Sequence, residues 1–442
     1  MVGASSIAGG GGSNTFIRGL ARRQVTLGWH PVVVVNESLD SDAIASFSPA
    51  THASDEPFTV RSLPPVQGMN REAYYSRRPA SAPEVAELFY ELRPSVVHFH
   101  TLNASAGALH LEAAKAANAR TIVTYHTGGI SCPQTGLLEN GKSPCDGSLD
   151  VTRCTRCRFA NRGLPVPLAE VVARLRVPYI QHNDESLLAR LLSSRDMTHA
   201  FISSFRRSLQ WIDVFHIQSD WIRAVLRAND VPSDKIAFVE MGVSQAPIAP
   251  IANTPASFTR ARPLRLVFAG RCSDIKGIET ILGALRKLPI NVPLEVSLLG
   301  TGWESPYGRR LLAPFARDRR LRPPRSVSAD VMLRELAACD ACLVPSIWLE
   351  TGPLVVYEAM AAGLPVIGSR LGGIAERVRD HIDGRLFRAG SSSELAKIID
   401  SLLSSPKTLS SLRNNIKPQR TFDDMARELA GVYRHEATEC AC

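Results

Sequence analysis

The chain has 442 residues, 45% of them apolar, and a formal net charge of +9. That length exceeds one ordinary core and points to two domains. No stretch approaches the roughly 20 uninterrupted apolar residues of a membrane-spanning helix. The first residues lack the basic start and apolar run of a secretory signal, so the expected compartment is the cytoplasm. Nine irregularly spaced cysteines argue against a secreted disulfide scaffold. The basic excess favours anionic small molecules or an acidic membrane face. No recognition motif or aromatic–basic interleaving points to nucleic acid.

The chain opens with VGASS at 2–6, glycines at 9–12 and Ser13. A helical pattern follows over 14–27, with Phe16, Ile17, Leu20 and Ala21 on one side, and then VVVV at 32–35. Strand, glycine loop, helix, strand is a Rossmann-type opening. Gly11 and Gly12 let the backbone approach a ligand closely, and Ser13 or Asn14 can cap the helix. The glycines read equally as a flexible turn. The first strand is short for a fold that places about five apolar residues there.

Strands are expected at 95–100 (SVVHFH) and 121–126 (TIVTYH), with an alanine-rich helix over 104–118 between them. His126 ends its strand and is followed by TGG, where open α/β sheets bind ligands. A strand-end histidine is as readily structural. His98 and His100 are weaker candidates for substrate contact. Cys132, Cys145, Cys154 and Cys157 fall in an insertion at about 130–160, rich in Gly, Pro, Asp and Ser and expected to be a loop. Four thiolates there can hold a structural zinc ion. The CTRC pair also has a redox spacing, and buried free thiols or disulfides are the alternatives. Residues 162–207 alternate basic and apolar and read as two or three helices. Their face is either ordinary and solvated or a peripheral membrane contact. A strand at 214–217, a helix through Arg227 and a strand at 235–239 lead to MGV at 241–243.

Residues 246–263 are rich in Pro and Ala and read as a linker. The second half starts with a strand at 264–269 that runs into Gly270 and Arg271, then DIKG at 274–277 and a helix. Arg271 and Lys276 flank a loop at a helix start, an arrangement that clamps a diphosphate with a planar fork and a point charge. A pair of surface cations is the alternative. Strands follow at 294–299 and 341–344, and Cys339 and Cys342 read as core thiols. PSIWLETGPLVVYEAMAAGLPVI at 345–367 then carries two carboxylates, Glu350 and Glu358, with seven residues between them. Pro353 fits the first helical position, Gly363 the stop, and PVI a buried strand. The helix start favours phosphate. Proline has no N–H, so backbone contacts there fall to Thr351, Gly352 or Leu354. A loop RLGG at 370–373 and a closing helix at about 421–435 complete the chain.

The paired carboxylates, the strand-end histidine and the Arg271–Lys276 loop resemble the retaining nucleotide-sugar glycosyltransferases of family 4, over nearly the whole chain. The resemblance implies an α/β chain of GT-B fold, two Rossmann-like domains facing across a cleft. Residues 1–245 would take the acceptor, 264–420 the donor, and 421–442 would pack back on the first domain. It implies transfer of a hexose from a sugar nucleotide to a glycan, lipid-linked or small-molecule acceptor, with retention of configuration and no catalytic metal. It places Glu350 and His126 at the donor sugar, Glu358 on the ribose, and Arg271 and Lys276 on the phosphates; Gly352, Leu354, Gly11 and Gly12 join the expected binding set through their backbone. Association with the inner membrane face fits the same resemblance. Two departures stand out: Pro353 where many members carry Gly, and Met241 and Ser244 where relatives show Asn-Gly-Val-Asp. They keep a non-catalytic sugar-nucleotide binding subunit in view, beside an epimerase or phosphorylase of the same fold. A nicotinamide enzyme would want a G-x-G-x-x-G pattern that this chain lacks.

Overall fold

The computed structural model describes residues 2–4, 12–35, 56–62, 75–77, 82–102, 106–175, 191–243, 248 and 254–435. The chain divides into two compact units, Met1–Glu240 with Phe422–Cys442, and Met241–Thr421.

The first unit holds strands β1 (Val2–Ala4), β2 (Val32–Val35), β3 (Thr59–Ser62), β4 (Val96–Phe99) and β5 (Arg120–Thr124). A short antiparallel hairpin follows, β6 (Leu138–Glu139) with β7 (Ser143–Pro144), and then β8 (Val214–Ile217) and β9 (Ile236–Phe238). The main sheet is parallel, in the order β3-β2-β1-β4-β5-β8-β9. Its strands read as short apolar runs because helices cover both faces of a parallel sheet. The strand order reverses between β1 and β4, a topological switch point. The first helix, Gly12–Thr26, buries Phe16, Ile17, Leu20 and Ala21. It begins two residues before the expected start, so Gly12 lies in its first turn rather than in a loop. Gly11 lies outside the described residues. The closing helix, Phe422–Arg434, buries Phe422, Met425, Leu429 and Tyr433, and the Phe422 ring stands 6.2 Å from that of Phe16.

The second unit holds β10 (Leu264–Ala269), β11 (Leu294–Leu299), β12 (Ala341–Val344), β13 (Val366–Ser369) and β14 (Gly384–Phe387). All are parallel, in the order β11-β10-β12-β13-β14. Leu266, Phe268, Val296, Leu343 and Ile367 from the sheet pack with Ile281 and Leu285 of the helix Ile278–Lys287 and with Ile399 of the helix Ser392–Ser404. The expected linker falls partly outside the described residues. Its remainder is not all linker, because Phe258 is buried in this core. The aromatic side chain gains more by burial than a Pro- and Ala-rich composition indicates. Asp340 is fully buried and bonds Arg262 Nη2 at 2.7 Å and Arg413 Nη2 at 3.4 Å, which pairs a charge that would otherwise be costly to bury.

Candidate active site

In the second unit the strand order changes direction between β10 and β12, and the loops leaving these strands touch. Ile347 N–H donates to Ile275 O at 2.9 Å. Gly277, with φ of +70°, passes so close to Pro345 that a Cβ would lie 1.9 Å from the Pro345 carbonyl oxygen. Only glycine serves there, for both reasons. The loop after β13 joins them, since Gly373 N–H donates to Glu350 O at 2.8 Å. Three loops thus meet at the carboxyl edge of the sheet, where open α/β sheets bind ligands.

Two of the expected site residues are in direct contact here. Lys276 Nζ lies 2.6 Å from Glu350 Oε1, and the Ser346 hydroxyl donates to the same oxygen at 2.7 Å. Glu350 is 7% exposed and Ser346 2%. The Lys276 ammonium also stands 5.8 Å from the centre of the Trp348 ring. The sequence pattern does not single out Ser346, although it stands two residues beyond β12 and four before the carboxylate. In the same two loops Trp348 Nε1 and Ser273 Oγ are buried with no hydrogen-bond partner among the described residues.

The helix carrying Glu358 is Leu354–Ala361, so Pro353 is the residue before the first helical one, not the first. Pro353 has extended ψ of 92°, and its carbonyl accepts the Val356 N–H at 2.8 Å, which makes it the cap. Leu354 is the first helical residue and Gly352 precedes the cap. Glu358 sits one turn in, and burial raises its carboxyl above the usual range. Arg271 is exposed, two residues beyond β10.

In the first unit His126 lies two residues beyond β5. Its Nε2 is 3.1 Å from His100 Nδ1, and its ring centre is 4.8 Å from that of Phe16. Burial, followed by the nearby His216, pushes its imidazole down to about 3. Burial likewise holds His98 and His100 well below the ordinary histidine range and His216 at about 4. All four rings are therefore neutral at neutral pH. Gly12 is exposed at the start of its helix.

The cysteine segment is not a loop throughout. Cys145 follows the hairpin, while Cys154 and Cys157 lie on the helix Val151–Asn161. Asp150 caps that helix by accepting the Arg153 N–H at 2.7 Å, a start signal visible in the sequence. All four cysteines are free thiols. Asn140 N–H donates to Cys157 Sγ at 3.2 Å and Gly147 N–H to Cys145 Sγ at 3.4 Å. Burial pushes Cys132 up to about 11 and Cys154 to about 12, and in both cases the neighbouring cysteines add to it. Among the described residues no three His, Cys, Asp or Glu side chains stand as a group able to hold a metal, so the sulfurs do not form a closed ligand set as they stand.

The chain is similar to known proteins over most of its length. Residues 253–419 match the family described as glycosyl transferases group 1, and residues 11–156 match the glycosyl transferase 4-like domain. An uncharacterized glycosyltransferase of Methanocaldococcus jannaschii is 23% identical over 272 residues, 59% of this chain and 70% of that protein. The D-inositol 3-phosphate glycosyltransferase of Mycobacterium marinum is 33% identical over 144 residues, 32% of this chain, and the match spans only 30% of that relative's length. Among solved structures, sucrose-phosphate synthase of Thermosynechococcus elongatus superposes with a TM-score of 0.64 at 18% identity, covering 98% of this chain and 97% of that one. HepE of Anabaena, solved in complex with UDP and glucose, superposes with a TM-score of 0.60 at 14% identity, covering 98% of each chain. These superpositions show the fold. The two domain matches make the chain a glycosyltransferase of group 1, and the fold the superpositions show is the α/β GT-B fold. No helix among the described residues is long and apolar enough to cross a membrane.

Proposed function

We propose that this glycosyltransferase moves a hexose from a sugar nucleotide to a glycan, lipid-linked or small-molecule acceptor, with retention of anomeric configuration. The observation that carries the reading is the convergence of Lys276, Glu350 and Ser346 at the carboxyl edge of the second sheet. HepE, of the same fold, holds UDP and glucose. In this reading Arg271 and Lys276 meet the diphosphate, helped by the N–H groups of Gly352 and Leu354. Together they stabilise the charge that gathers on the leaving nucleotide, so no catalytic metal is required. Glu358 takes the ribose. Its raised carboxyl suits a group that shares hydrogen bonds with hydroxyls. Glu350 and the neutral His126 serve the sugar. Gly11 and Gly12 complete the first unit's binding set. The displacement is a same-face one, in which the leaving phosphate takes the acceptor proton. We place the protein in the cytoplasm, in contact with the inner membrane face where its acceptor is lipid-linked. Residues 1–245 serve as the acceptor domain and 264–420 as the donor domain.

A separate part of the proposal is a structural zinc ion on Cys132, Cys145, Cys154 and Cys157. Two backbone N–H groups already point at sulfurs, as they do at metal-bound thiolates, and rotation of the side chains would have to close the set.

Nuclear magnetic resonance of the glycoside product decides the stereochemistry. An anomeric configuration equal to that of the donor supports retention, and an inverted product overturns it.

A further inference from the structure

The family resemblance implies that Lys276 meets phosphate and Glu350 sugar, at opposite ends of a donor. The structure joins them at 2.6 Å. The Lys276 side chain is 27% exposed and that of Glu350 9%, so solvent screens the pair only partly. Ser346 donates to the same carboxylate oxygen and is itself buried. Both sides of Glu350 Oε1 are therefore engaged, by an ammonium and by a hydroxyl. The backbone is held as well: Gly372 has φ of +52°, and a Cβ there would stand 3.0 Å from both Glu350 N and Glu350 O. Any change at Glu350 must come from its side chain.

An ammonium already paired with a carboxylate attracts a phosphate less than a lone one does. A diphosphate carries more charge than one carboxylate and can displace it. We propose that Glu350 is the resident counter-anion of Lys276, held there by Ser346, and that a nucleoside diphosphate exchanges it. The phosphate takes the ammonium, and the released carboxylate turns to the sugar. Lys276 stays paired in both states, so its half-buried ammonium is never isolated. The sugar-facing carboxylate becomes available only when the phosphates are in place, which couples donor binding to readiness for transfer. Ser346 touches no substrate in this scheme and is a positioning residue that acts through Glu350. The inference rests on the donor-site reading above.

Calorimetric titration of the full chain with UDP, GDP and ADP, without sugar, tests it. Glu350→Gln keeps the shape and both hydrogen bonds but removes the charge that neutralises Lys276. It should bind the preferred diphosphate about tenfold more tightly than the parent, about 1.4 kcal/mol. Ser346→Ala, which only loosens the carboxylate, should tighten binding by a smaller factor, about threefold, and Ser346→Thr should restore the parent value. Adding Lys276→Ala to Glu350→Gln should abolish the gain. Equal or weaker binding by Glu350→Gln overturns the exchange while leaving the donor site intact. If Glu350→Gln does not fold, an unchanged affinity in Ser346→Ala overturns it instead. If neither the parent nor any variant binds a nucleoside diphosphate, the donor-site reading falls and the exchange falls with it.

Discussion

His98 Nδ1 lies 2.7 Å from the hydroxyl of Tyr433, joining β4 to the closing helix across 335 positions of sequence. The contact is one link in a buried chain whose polarity can be deduced. The Val239 carbonyl can only accept, so His216 Nε2, 3.2 Å away, carries a proton. His216 Nδ1 then accepts from Thr124, 2.8 Å away, and the Thr124 oxygen accepts from His98 Nε2 at 2.6 Å. His98 Nδ1 accepts from Tyr433, whose oxygen accepts from Gln24 Nε2 at 2.8 Å. One orientation of five groups fixes both histidine tautomers and ties the last helix into the first unit's sheet.

Tyr433→Phe should therefore destabilise the protein beyond the loss of one hydroxyl. It leaves the Gln24 donor and the His98 acceptor buried and unpaired. The expected cost is about 1–3 kcal/mol in urea unfolding. An unchanged unfolding midpoint would show that the chain contributes nothing.

Stability should fall as pH drops below about 6.5, the histidine value of an unfolded chain. The folded protein holds His126 at about 3 and His216 at about 4, and His98 and His100 also well below the ordinary value. Unfolded chains thus bind more protons in that window. The stabilisation is complete above about pH 6.5 and is lost as pH falls towards the folded values, at up to about 1.4 kcal/mol per pH unit for each proton. The paired aspartates, held below the usual carboxylate range, add their own loss only in stronger acid. Thermal melts from pH 8 to 5 measure this, and a flat profile contradicts it.

Arg271→Ala should weaken nucleoside diphosphate binding by roughly 10- to 100-fold, as expected for one charge-assisted contact worth about 1.5–3 kcal/mol. Glu358→Ala should raise the donor KM and leave kcat less affected, because a ribose contact acts alike in ground and transition states. Calorimetry and initial rates separate the two, and Arg271→Ala with unchanged affinity would remove that arginine from the site.

Protein purified without added metal should contain about one zinc per chain, bound to the cysteine segment. Elemental analysis reads this directly. Metal-free protein with four thiols titratable in the native state would leave the cysteines as plain thiols.

Elements specified by nearest neighbours were legible in the sequence. The strand at 264–269 and the Rossmann-type opening helix follow from local apolar periodicity, as do the strands around the paired carboxylates. Boundaries shifted where the decisive bond lies outside the pattern: Pro353 is a cap because its carbonyl takes the Val356 N–H, and Gly12 enters the first turn of its helix. Long-range pairings were not legible. The Lys276–Glu350 contact spans 74 positions and depends on two loops meeting at neighbouring strand ends. The histidine chain needs the strand order of the first sheet and the placement of the closing helix. Composition alone makes Cys154 and Cys157 look like loop residues, whereas the Asp150 cap starts a helix there.

The central claim is a sugar-nucleotide transfer that depends on Glu350. The most direct measurement is the rate of nucleoside diphosphate release from a panel of hexose nucleotides, for the parent and for Glu350→Gln. Turnover of at least one donor by the parent is expected. In Glu350→Gln kcat should fall about 100-fold, about 2.7 kcal/mol at roughly 1.36 kcal/mol per decade. Release from no donor by the folded parent, or an unchanged kcat in Glu350→Gln, would contradict it.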